Sequence, residues 1–127
     1  MKIGIDIHGV ADATPYLFRL LSMAQGLNDE IHIVTGGQLT PKYLKYVNAL
    51  GINYDKIFSI SDHLLESDTP VRWSDAENPW FDAELWNKAK ADYCEKHDID
   101  FMLDDTERYA KYFKNIKTEF ILFKKID

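Results

Sequence analysis

A single cysteine, Cys94, has no partner within the 127 residues, so no intramolecular disulfide framework holds this chain together. Basic residues are the minority, 15 Lys and Arg against 21 Asp and Glu. The resulting net charge of -6 argues against an extended nucleic-acid surface as the main binding mode. No apolar run approaches the roughly 18 to 20 residues that span a bilayer, so no membrane partner is expected. The start shows no charged, apolar and small-residue signal pattern, which makes the cytoplasm the expected compartment. The four histidines show no ligand spacing with one another or with Cys94, which speaks against zinc. Repeats and low-complexity tracts are lacking too.

What is present suits one domain, 1–127, large enough to bury about two thirds of its unfolded surface without a structural metal. Residues 2–7 read as a short buried strand. Thr14-Pro15 then starts a helix marked by Tyr16, Leu17, Leu20, Leu21 and Met23, which stops near Gly26. A strand over 30–35 follows, and Thr40-Pro41 repeats the start signal for a helix closed by Gly51. Residues 55–60 predict a third strand, 82–97 a helix, and the run to Asp104 a fourth strand. A short helix at 108–113 and a last strand at 118–123 complete the order. Strands alternating with helices imply parallel pairing through right-handed crossovers. The expected fold is thus a three-layer, doubly wound α/β domain with a mostly parallel five-stranded, Rossmann-like sheet. Only 61–81, rich in acids and carrying Trp73, Trp80 and Phe81, breaks the alternation, and it reads as a loop or small lid.

Three of the runs end on chemistry. Lys2-Ile3-Gly4-Ile5-Asp6-Ile7-His8-Gly9 delivers an acid and a glycine, Val34-Thr35-Gly36 a hydroxyl, and Phe101-Met102-Leu103-Asp104-Asp105 an acidic pair. Ligands of open parallel sheets bind beyond the carboxyl ends of the strands. Should these strands be neighbours, the acids need a cation or a proton to coexist, and Mg2+ is the natural candidate for a set of carboxylates. One acid of the pair has a plainer alternative as the cap of the helix near Thr106. Cys94 falls on the apolar stripe of its helix and reads as a buried structural thiol. Trp73, Trp80 and Phe81 either pack the loop onto the domain or form a stacking wall for a planar group, and Arg72 offers a second anionic contact.

In order and strand-end placement these groups resemble the haloacid dehalogenase-like superfamily, mostly phosphatases on a doubly wound parallel sheet. Asp6-Ile7-His8-Gly9 matches that family's Asp-x-Asp-Gly at the first acid and the glycine, Thr35 its Ser or Thr, and Asp104-Asp105 its late acidic pair. For its lysine near a helix start the choice is Lys88, with Lys90 the alternative. The resemblance implies an Mg2+-dependent phosphomonoester hydrolase in which Asp6 forms an aspartyl-phosphate. It also implies that Thr35, Lys88 and backbone groups at Gly9 and Gly36 hold the phosphoryl oxygens, with Asp6, the His8 carbonyl and Asp104 or Asp105 as metal ligands. The substrate would be a small phosphorylated molecule or a phosphorylated macromolecule end.

The departure is His8, which stands where the family carries its acid-base carboxylate. Imidazole transfers protons near neutral pH, yet it is longer and differently directed than aspartate. The alternative is therefore a phosphate- or nucleotide-binding module that keeps the metal pocket without turnover. With no full cap domain between the motifs, the site would take large substrates or borrow a lid from a partner, a second copy of the chain included.

Overall fold

A computed structural model describes residues 1–76 and 78–124. The expected bounds 1–127 and 61–81 thus include positions, 77 and 125–127, that lie outside the described residues. Five strands, β1 (Lys2–Ile5), β2 (Glu30–Thr35), β3 (Lys56–Ser59), β6 (Phe101–Asp104) and β7 (Glu119–Leu122), form one all-parallel sheet in the order β3-β2-β1-β6-β7. Helices α1 (Pro15–Met23), α2 (Pro41–Ala49), α3 (Ile60–Glu66) and α4 (Ala83–Lys96) supply the crossovers, with a 3-10 helix at Glu107–Phe113. This is the three-layer, Rossmann-like α/β architecture.

Strand alternation splits the core between the two faces. Ile31 and Ile33 of β2 join Ile5, Val10, Phe18 and Val47 on one side, while Val34 joins Ala91, Cys94, Met102 and Phe113 on the other. The first cluster seats α1 and α2, the second α4 and the 3-10 helix. Cys94 is fully buried, and burial pushes its thiol up to about 12, as an inert core residue requires.

Several boundaries differ from the sequence reading. The first strand ends at Ile5, because Asp6 through Ala11 turn back on themselves: Ala11 N–H donates to the Asp6 carbonyl and Asp12 N–H to that of Ile7. Thr14 precedes α1 without capping it, and its hydroxyl donates to the Val10 carbonyl. Thr40, by contrast, caps α2 by accepting from Tyr43 N–H, and Gly51 closes the turn after it at φ +75°. Ile60 begins α3 and does not extend β3, since the Ser59 hydroxyl accepts from Asp62 N–H as a helix cap. The remainder of the irregular segment carries an antiparallel hairpin, β4 (Arg72–Asp75) and β5 (Asn78–Trp80), whose strands, among the described residues, pair with each other and not with the main sheet.

Sheet order fixes where a ligand can go. The chain leaves β1 toward β2 and β3 on one side, then crosses back through α4 to β6 on the other side of β1. The connections diverge between β1 and β6, and the carboxyl ends of these two strands carry Asp6 and Asp104-Asp105.

Candidate functional site

The Asp6 backbone amide donates to the Leu103 carbonyl at 3.0 Å, stitching the end of β1 to the end of β6. This brings the acids together: oxygens of Asp6, Asp104 and Asp105 all lie within 4.8 Å of one another. Asp6 and Asp104 are buried, Asp105 exposed.

The cation between them is Lys90. Its Nζ donates to Asp6 Oδ1 at 3.0 Å and to Asp104 Oδ2 at 2.6 Å, and it lies 4.8 Å from the centroid of the Tyr109 ring. The choice of Lys88 is thereby corrected: that side chain is exposed, while Lys90 is 2% exposed. The reason is helical phase. Ala83, Trp86, Asn87 and Lys90, at spacings of three and four, form the face of α4 that lines the site, and Lys88 lies on the far side.

One ammonium faces three carboxylates, so charge is not balanced. Burial pushes the Asp6 carboxyl up to about 6; Lys90 pulls against this rise, and Asp104 adds to it. Burial works against the Lys90 charge as well, but Asp6 and Asp104 outweigh it and hold the ammonium above the usual lysine range. The shorter contact gives Asp104 the larger share of that cation and leaves Asp6 the surplus acid. Asp104 also accepts from Thr106 N–H at 2.9 Å, but it does not cap the helix: Thr106 itself holds the N-cap position of Glu107–Phe113, with no side-chain capping bond, so neither acid of the pair is the cap. With both Asp104 oxygens engaged, Asp105 Oδ2 is the carboxylate oxygen of the pair with no hydrogen-bond partner among the described residues.

Thr35, at the end of β2, is 1% exposed, and its hydroxyl lies 2.5 Å from that of Tyr43. Burial raises the Tyr43 phenol, which stays neutral and can hold the threonine hydroxyl in place. Gly36 follows on the rim, where a Cβ would come within 2.9 Å of the Trp86 ring, so glycine here lets the indole close on the strand end.

The glycine loop after β1 does different work from that expected. Gly9 has φ +82°, and a Cβ there would collide with the Asp105 carboxylate, so both backbone and contact demand glycine. Its N–H, expected to face a phosphate, donates instead to Asp12 Oδ1 at 2.8 Å. Asp12 also accepts from Tyr46 Oη at 2.9 Å and lies 3.1 Å from His8 Nδ1. Although burial raises Asp12, these bonds outweigh it and hold the carboxyl below the usual range. The His8 ring is thus turned to the rim, within 5.9 Å of Tyr43 and of Tyr46, with Nε2 free of partners among the described residues.

Above the acids opens a cavity of about 1050 Å³, lined from below by Asp6, Thr35 and Lys90 and from the side by Trp80, Phe81, Trp86 and Tyr109. The hairpin supplies Ser74, Asn78, Pro79 and Trp80 to this wall. Trp73 and Arg72 do not line it, and the cation on the rim is Arg108. Sequence reasoning missed Trp86, Tyr109, Ser61 and Asp12; only Trp86 left a signal, its i, i+4 spacing to Lys90. In comparison with known proteins, no family model matches the chain and no curated protein matches it.

Proposed function

We propose that this chain is an Mg2+-dependent phosphomonoester hydrolase acting through an aspartyl-phosphate, as the haloacid dehalogenase-like resemblance implies. The observation that carries this reading is the convergence on one sheet end of Asp6, Thr35, Asp104 and Asp105 around the buried Lys90. The donor set fits the metal. Three carboxylates against one ammonium leave negative charge unmet, and hard oxygen ligands suit Mg2+. Asp6 and Asp105, with Asp104 behind them, would hold the ion, which when bound neutralises charge on the transferring group.

The chain's own groups then account for the rest. An Asp6 oxygen attacks phosphorus while the bond to the ester oxygen breaks, and the departing alkoxide takes a proton from His8 Nε2. Water, giving a proton back to the imidazole, cleaves the acyl-phosphate to inorganic phosphate and free Asp6. Thr35 and Lys90 hold the phosphoryl oxygens, and Asp12 and Tyr46 steady the imidazole.

The binding-module reading draws on the same His8, whose side chain is 66% exposed and turned to the rim. Beryllofluoride separates the two. With Mg2+ the wild type should take it up as an acyl-phosphate mimic and release phosphate from an aryl phosphate, and Asp6→Asn should abolish both. Uptake without turnover would favour the module; no uptake by the wild type would sink the hydrolase.

A further inference from the structure

The cavity, about 1050 Å³, is far larger than a phosphoryl group and slightly exceeds the ~300–1,000 Å³ of small-molecule sites. Its two ends differ in chemistry. Charge and hydroxyl gather at the strand ends, around Asp6, Thr35 and Lys90, whereas Trp80, Phe81 and Trp86 line the other end with aromatic side chains.

That wall is built rather than collapsed. The Trp86 indole is fixed by its N–H donating to Tyr109 Oη at 3.1 Å and by Phe81 stacked on it at 6.0 Å and 21°. It sits one helical turn, about 6 Å, beyond Lys90 on the same face of α4. Trp80 is held out on the hairpin with 59% of its surface open, while still lining the cavity. Two amide side chains, Gln38 and Asn87, border the same space, partly buried and with no hydrogen bond among the described residues. Free amides beside aromatic faces suit a planar ring with polar edges.

We infer that the ligand is a mononucleotide, its phosphoryl group at Lys90 and Asp6 and its base stacked on the aromatic wall of Trp80, Phe81 and Trp86. The net charge of -6 disfavours a polynucleotide track leading to the same pocket. This inference shares its phosphate end with the hydrolase reading and adds the base site, so the two fail separately.

The test measures calorimetric binding to Asp6→Asn, and kcat/KM of the wild type, for adenosine and uridine 5′-monophosphates against ribose 5-phosphate, all with Mg2+. Base stacking of ordinary strength predicts that at least one nucleotide is preferred by about tenfold or more. Trp80→Ala, placed in each background, should shrink that ratio to about twofold or less, and Trp80→Phe should restore much of it. Trp73→Ala, on the same hairpin but off the cavity, should keep it. Preference in binding without any phosphate release supports the base site and sinks the hydrolase. Equal handling of all three probes overturns the base site, and so does failure of every probe to bind Asp6→Asn. Tighter binding, by tenfold, of a 5′-phosphorylated decanucleotide than of either mononucleotide overturns it in favour of a nucleic-acid end.

Discussion

Lys90 is buried with two carboxylates on it, and removing it leaves Asp6 and Asp104 facing each other without the ammonium. Breaking a buried ion pair at one partner costs about 3–5 kcal/mol, since the remaining charge has no water to turn to. Lys90→Met should therefore lower the urea midpoint strongly at pH 7.5. Lys88→Ala, on an exposed side chain, should stay within about 0.5 kcal/mol of the wild type. Equal losses in the two variants would show that the ion pair contributes nothing. The acids themselves were legible, because an apolar run that stops on Asp or Thr marks a strand end whatever the sheet order. The lysine was not. Choosing between Lys88 and Lys90 needs the rotation of α4, and Ala83, Trp86 and Asn87 reveal it only once they are seen to share one face. Asp12 was equally hidden, since its value lies in a turn that the run 2–7 had been read through as strand.

At the scale of elements, α1 shows how periodicity can pick the wrong side of a helix. Tyr16, Leu17, Leu20 and Met23 mark it as helical, yet all four are exposed, and the buried face is Phe18 and Ser22 with Leu21 partly covered. Apolar residues on both faces leave the pattern without a phase, and only packing on Ile5, Ile31 and Val47 decides it. Phe18→Ala should cost about 3–5 kcal/mol in urea unfolding, as large buried rings do. Leu20→Ser should change stability by about 0.5 kcal/mol or less. The reverse order would mean that α1 docks through its other face. The strands were easier to read. β2 was legible to the residue, because Ile31, Ile33, Val34 and Thr35 make it rich in β-branched residues and Gly36-Gly37 closes it with a turn signal.

On the scale of the molecule, the sequence order of helices and strands was enough for the fold class, but not for the neighbours of β1. Placing β6 beside β1 puts the surplus negative charge of the first strand against that of the sixth, so this seam is where the proposed Mg2+ and a change of pH would act. Without metal, Asp6 holds its proton up to about 6 in the folded chain against 3.8 in the unfolded one. The folded state therefore binds more protons between those values, and this group's contribution to stability falls as pH rises through the window. A cation bound by the carboxylates acts in the opposite sense, because it requires the proton to leave. The gain in Tm on adding Mg2+ should be near zero at pH 5, rise through pH 6 and level off above 7. At a hundred times its Kd the ion adds about 2.7 kcal/mol, and for a chain of this size that is roughly 8–13 °C. Calorimetric scans with MgCl2, and with NaCl at matched ionic strength, measure it. Asp105→Asn should lose most of the gain while folding normally, since Asp105 is exposed and Lys90 keeps both of its buried partners. A gain independent of pH, or one that Asp105→Asn retains in full, would place the ion elsewhere than between β1 and β6.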